Sequence, residues 1–92
     1  MADKSDSNKH IEWYIYLIRC NNGHLYTGIS TDVARRFSAH QCGKGAKYLR
    51  GKNPLELVYQ KKAGSRSDAL KSEALVKKMT KAAKENMIRQ SH

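Results

Sequence analysis

Residues 13 to 30 read Trp13-Tyr14-Ile15-Tyr16-Leu17-Ile18-Arg19-Cys20-Asn21-Asn22-Gly23-His24-Leu25-Tyr26-Thr27-Gly28-Ile29-Ser30. Two runs rich in aromatic and β-branched strand formers flank a turn cluster containing Asn22-Gly23, the strongest short-range hairpin signal. Alternation along the first run sets Tyr14, Tyr16 and Ile18 on one face and Trp13, Ile15 and Leu17 on the other. Both faces are apolar. Such a hairpin requires cover on both sides, and the rest of the chain has to supply it.

Outward from the hairpin, Thr31-Asp32 predicts a helix start, a hydroxyl followed by an acid near the positive end of the helix dipole. The helix runs to about Gln41 on a buried stripe of Val33 and Phe37, with Arg35, Arg36 and His40 around it. Arg36 and His40 stand four apart, so two nitrogen donors on neighbouring turns can converge on one anion. Residues 43 to 52 hold three glycines and the cations Lys44, Lys47, Arg50 and Lys52. Glycine permits close backbone approach to a phosphate and the cations neutralise it, but the same composition suits a flexible surface loop, and the P-loop spacing is missing. Pro54 opens a third strand over 55 to 60, with Leu55, Leu57 and Tyr59 on one face and Glu56 toward solvent. Residues 63 to 65 break that pattern, and Ser67-Asp68 signals a second helix with Leu70, Ala74 and Met79, beside Ala69 and Val76, on its apolar side. Thr80 caps a last helix from Lys81 to about Gln90, packed through Ala83, Met87 and Ile88. The order β-β-α-β-α-α predicts an α+β fold, a small three-stranded antiparallel sheet flanked by helices.

A chain of 92 residues allows one domain, expected over 11–92, after a polar lead-in at 1–10 expected to be disordered. No run approaches the roughly 18 apolar residues that span a bilayer. The lead-in has no apolar segment of a signal peptide, so the expected compartment is the cytoplasm, with no membrane partner. Cys20 and Cys42 follow no metal spacing and are read as reduced thiols, buried or half-buried. The net charge of +10 is concentrated: between Lys44 and Arg66 seven basic residues face one acid, Glu56. High charge of this kind serves solubility, anionic lipid or a polyanion. Interleaving of the cations with Gly and Tyr, rather than their arrangement along one helix face, favours nucleic acid.

The acids narrow the chemistry. Of eight carboxylates, only Asp32, Glu56, Asp68 and Glu73 lie between positions 13 and 84. The first three are explained by helix starts and an exposed strand position. Glu73 shares a helix side with Ala69 and Val76, so its carboxylate is either paired with Lys77 at i+4 or committed to a cation. One such ligand cannot build a two-metal centre, whose ions sit about 4 Å apart among several carboxylates. It suffices at most for one mostly hydrated Mg2+ or Mn2+ shared with a substrate phosphate. No Cys/His cluster suggests zinc, nothing suggests an organic cofactor, and no nucleophile elbow is present.

Tyr14-Ile15-Tyr16, then Tyr26-Thr27-Gly28 ten residues after Tyr16, Arg36 eight after Gly28, His40 four later and Glu73 on a downstream helix together resemble the GIY-YIG nuclease family. The likeness covers residues 13 to 83, and 43 to 50 further resemble its small stand-alone bacterial members. It implies metal-dependent hydrolysis of a DNA phosphodiester, by an endonuclease or structure-sensitive nuclease, with DNA repair as a setting. It also implies roles: Tyr16 and Tyr26 as the motif tyrosines, Arg36 stabilising the phosphoryl group, Glu73 as the single metal ligand, and His40 as an auxiliary residue. Lys44, Lys47, Arg50 and Lys52 would meet the nucleic acid. Tyr14 stands where the family name has Gly, Ile29 where excision-repair relatives carry Lys, and Asn86 is a weak match to the family's late Asn.

Two alternatives remain open from sequence. One is a DNA- or RNA-binding module that keeps the fold without turnover. The other is a subunit whose partner protein supplies substrate recognition. The hairpin register offers a structural test. A two-residue Asn22-Gly23 turn pairs Tyr16 with Ile29 and sends Tyr16 and Tyr26 to opposite faces, whereas a three-residue or bulged connection pairs Tyr16 with Gly28 and puts both phenols on one face. The nuclease resemblance requires the second.

Overall fold

The computed structural model describes residues 11–91, and the lead-in expected at 1–10 lies outside the described residues. The elements are β1 (Trp13–Arg19), β2 (Leu25–Ser30), α1 (Val33–Gln41), a 3-10 turn at Lys47–Leu49, β3 (Glu56–Gly64), α2 (Arg66–Lys77) and α3 (Lys81–Gln90). The strands form one antiparallel sheet in the order β2-β1-β3, the α+β architecture expected.

The turn between β1 and β2 decides which side chains meet. Gly23 adopts a φ of 87°, in the left-handed region that a side chain disfavours. Its N–H donates to the Cys20 carbonyl at 2.9 Å, and the Cys20 N–H donates to the His24 carbonyl at 2.9 Å. Cys20 and His24 therefore face each other across a three-residue loop, Asn21 to Gly23, so Tyr16 pairs with Gly28 and Ile18 with Tyr26.

Both faces of the hairpin are covered. On one, Tyr16, Ile18, Cys20, Val33, Leu49 and Leu55 are buried, with Tyr26, Phe37 and Leu57 packed against them. On the other, Ile15 and Leu17 pack with Val76 of α2 and Ile88 of α3. Burying such side chains stabilises the fold by about 1.5–3 kcal/mol each before chain entropy is counted.

β3 corrects the simple alternation. Leu17 pairs with Tyr59 but Ile18 with Leu57, leaving Val58 as a bulge. Leu57 consequently joins Leu55 on the Tyr16 face while Tyr59 joins Leu17 on the other. The strand also continues through Ala63 and Gly64, where the sequence suggested a break.

α2 starts earlier than expected. Ser65, not Ser67, caps it: the Asp68 N–H donates to Ser65 Oγ at 3.1 Å and the Ser65 N–H donates to the Asp68 carboxylate at 3.2 Å. The buried positions are Ala69 and Val76, two turns apart, while Leu70 and Leu75 are 41% and 67% exposed. A residue as small as Ala69 lets the helix lie close to the sheet, and this narrow stripe replaces the broader one expected. Thr80 Oγ1 accepts from the Ala83 N–H at 3.1 Å and starts α3 as expected. Arg19 and Glu85 tie α3 to β1 through a two-armed ion pair, one arm 2.9 Å long, and Lys81 meets the same carboxylate at 3.0 Å. At the far end of β1, Trp13 pairs with Gly64 and the Arg66 guanidinium lies 5.8 Å from its ring centroid. Cys20 is buried and Cys42 exposed, the latter against expectation. Among the described residues no helix is long and apolar enough to cross a membrane.

Candidate active site

The pairing of Tyr16 with Gly28 brings Tyr16 and Tyr26 onto one face, with ring centroids 6.4 Å apart. Tyr16 is 1% exposed although it is a phenol in the middle of a central strand. Gly28 makes this possible. A Cβ there would lie 2.5 Å from Tyr16 Cζ and Oη, so the missing side chain is the space the hydroxyl occupies.

His40 reaches the same point from α1, one turn beyond Arg36. Its ring is also 1% exposed. Nε2 lies 2.9 Å from Tyr16 Oη, and Nδ1 accepts the Ala46 N–H at 3.0 Å. The Tyr26 ring meets the imidazole edge-on, with centroids 5.6 Å apart. Buried polar groups of this kind persist only when partnered, and both imidazole nitrogens are.

Electrostatics connects two further residues to the phenol. Burial, above all, and the neighbouring Tyr26 and Glu73 push the Tyr16 hydroxyl up to about 12, while Arg36 pulls in the opposite direction. Tyr16 is accordingly a neutral phenol at pH 7. Burial and the Arg36 charge hold His40 below the ordinary imidazole range, and it too is neutral. Arg36 is exposed and lines a groove of about 340 Å³ with Ser30, Thr31, Asp32, Arg35 and Ala39. Asp32 caps α1 there, its carboxylate accepting the Arg35 N–H at 3.1 Å.

Glu73 projects from the Ala69 and Val76 side of α2. Its side chain is 19% exposed and meets Lys77 Nζ at 3.4 Å. Among the described residues no group of three or more His, Cys, Asp or Glu could surround an ion. A lone, largely buried carboxylate suits a hard, mostly hydrated cation such as Mg2+ or Mn2+, and it does not suit zinc.

The basic loop is tied down. Leu49 is buried, the Lys44 N–H donates to the Ala39 carbonyl at 2.9 Å, and the Asn21 N–H donates to the Lys52 carbonyl at 3.1 Å. Lys44, Lys47 and Arg50 are exposed. Lys52 instead lies over the Tyr48 ring, 4.4 Å from its centroid, and Tyr48 stacks on Tyr26 at 6.2 Å. Sequence reasoning missed Tyr48 and the Gly45-Ala46 backbone. An aromatic within a lysine-rich loop was the signal available for Tyr48; a backbone amide leaves none.

Comparison with known proteins follows the same residues. The GIY-YIG catalytic domain matches residues 12–86. A UPF0213 protein of Cronobacter sakazakii is 60% identical over 77 residues, 84% of this chain and 81% of that protein. A UPF0213 protein of Yersinia enterocolitica is 57% identical over 76 residues, 83% of this chain and 78% of that protein. Among solved structures, the NMR structure of a UPF0213 protein from Bacillus halodurans is similar with a TM-score of 0.56 and 39% identity, covering 86% of this chain and 84% of that one. An NMR structure of an E. faecalis protein is similar with a TM-score of 0.61 and 36% identity, covering 88% and 86%. With its spaced tyrosines on one face of the sheet and the domain matched over most of its length, the chain belongs to the GIY-YIG catalytic domain family.

Proposed function

We propose that the protein is a metal-dependent endonuclease or structure-sensitive nuclease that hydrolyses DNA phosphodiester bonds in the cytoplasm with one divalent ion, Mg2+ or Mn2+. The observation that carries this reading is the convergence of Tyr26, His40, Arg36 and Glu73 on the Tyr16 phenol, through ring contact, hydrogen bond or charge.

Each group has a task it can perform. Arg36, exposed on the groove wall, binds a phosphoryl oxygen and offsets the charge that develops there. Lys44, Lys47 and Arg50 hold the flanking backbone by counterion release. Glu73 would hold the ion, whose chemistry when bound is polarisation of a phosphoryl oxygen and acidification of water. Tyr16, neutral and buried, accepts a proton from water only after its own has left, so positive charge beside it is a precondition for that role. His40 and Gly28 keep its oxygen in place.

The test is incubation with branched, flapped and single-stranded DNA in Mg2+ or Mn2+. Cleavage by the wild type that collapses in Glu73→Gln supports the reading; no cleavage, or undiminished cleavage by Glu73→Gln, overturns it. The Lys77 contact on Glu73 favours a second reading, a DNA- or RNA-binding module without turnover. It expects steeply salt-dependent binding that ignores EDTA and Glu73→Ala.

A further inference from the structure

We infer that the Ala46 backbone amide fixes His40 as a neutral imidazole protonated on Nε2, so that His40 donates to the Tyr16 hydroxyl, with Gly45 and Ala46 acting as positioning residues for that contact. The tautomer stands on geometry alone; its bearing on cleavage rests on the nuclease reading above.

An amide N–H can only donate. Ala46 directs its N–H at Nδ1 from 3.0 Å, so Nδ1 presents its lone pair and carries no hydrogen. A neutral imidazole has one N–H, which therefore sits on Nε2, 2.9 Å from Tyr16 Oη. An imidazolium would aim an Nδ1 hydrogen at the amide hydrogen, a repulsion in a ring that is 1% exposed. The loop backbone comes this near only because residue 45 is glycine, since a Cβ at Gly45 would run into the imidazole itself.

The consequence is directional. The Tyr16 oxygen receives a hydrogen bond from His40, and its own hydrogen turns away from the ring. His40 is therefore not an acceptor for the Tyr16 proton. It stabilises negative charge on that oxygen, in the same sense as the Arg36 charge. Because Lys44 and Lys47 flank Gly45-Ala46, the stretch that meets the polyanion is also the stretch that orients the phenol.

Nitrogen NMR of the uniformly labelled wild type at neutral pH reads the tautomer directly, with His40 assigned among four histidines by a His40→Gln spectrum. The expected result is a pyrrole-type Nε2 and a pyridine-type Nδ1. A protonated Nδ1, alone or in an imidazolium, overturns the inference. An amide-to-ester exchange at position 46, with lactic acid in place of Ala46 by semisynthesis, supplies a second reading: it replaces the N–H with an oxygen and keeps the methyl group, whereas proline would drive its Cδ into Nδ1. The Nδ1-protonated form should then appear and cleavage fall about tenfold, the worth of one hydrogen bond, whereas Ala46→Gly keeps both. A tautomer unmoved in the folded ester variant also overturns the inference. Neither spectrum needs substrate, so a wild type that cleaves nothing refutes the nuclease reading and leaves the tautomer to be judged on its own.

Discussion

The two faces of the sheet are cut from the same strands and differ in what they bury. One buries aliphatic side chains, Ile15 and Leu17 of β1 against Val76 and Ile88. The other buries a phenol and an imidazole, each 1% exposed, beside aliphatic neighbours. Aliphatic burial tolerates any arrangement of the right volume, whereas the polar pair needs its partners at fixed places. Glycine marks the difference: Gly28 makes room for Tyr16 and Gly45 for His40, and neither has a counterpart on the Leu17 side. Alternation along β1 thus separates a side that holds the molecule together from a side free to hold chemistry.

Substitutions can break this division of labour. On the nuclease reading, Glu73→Gln should lower cleavage by about a thousandfold, roughly 4 kcal/mol of transition-state stabilisation, while the melting temperature stays close to wild type. Leu17→Ala should do the reverse, costing about 2–5 kcal/mol in denaturant unfolding while cleavage per folded molecule persists. If instead Leu17→Ala abolishes cleavage in the folded fraction, the faces are not independent. Gly28→Ala tests both roles at once. Its Cβ would press on Tyr16 from 2.5 Å, so a stability loss of about 1–3 kcal/mol should accompany lost cleavage.

Acid and alkali sharpen the comparison further. The Tyr16 hydroxyl is raised, mainly by burial, from 10.0 to about 12. The folded state therefore holds that proton after the unfolded chain has released it. Stability from this source is intact below pH 10 and lost as pH rises from there through about 12. Urea titrations of wild type and Tyr16→Phe should diverge in that window, by about 2 kcal/mol at its top. Outside the two cores, the Arg19 hydrogen bond and then Lys81 hold Glu85 down from 4.5 to about 2. Its contribution is present above pH 4.5 and fades as pH falls toward 2. Glu85→Gln should remove that acid dependence and cost about 1 kcal/mol at neutral pH, as partly solvated ion pairs do.

What the sequence disclosed follows from where the information resides. The hairpin, the α1 and α3 boundaries and the two-sided core are written in local composition and period. The Tyr16–Gly28 register was selected by the requirement that two phenols meet, not by the turn residues, which favoured a two-residue loop. The Val58 bulge has no local signature, because β1 alone determines where β3 must slip. Ser65 and Ser67 are equally good caps on paper, and the pairing of Ser65 with Asp68 three residues later decides between them. Of the candidate site, Tyr16, Tyr26, Arg36, His40 and Glu73 could be named from the family resemblance that their spacing carries. The amide of Ala46 could not, since every residue but proline carries one.

Trp13 adds something practical to the end of the sheet. It is the chain's single tryptophan, half-buried, opposite Gly64 and beneath the Arg66 guanidinium at the first residue of α2. Indole emission shifts in colour and yield when water or a cation changes at the ring. Excitation at the red edge of protein absorbance, where the tyrosines stay dark, therefore watches one joint of the molecule. That joint attaches the helix bearing Glu73, so a cuvette measurement without label or crystal reports whether the carboxylate's support is seated while metal or DNA is added.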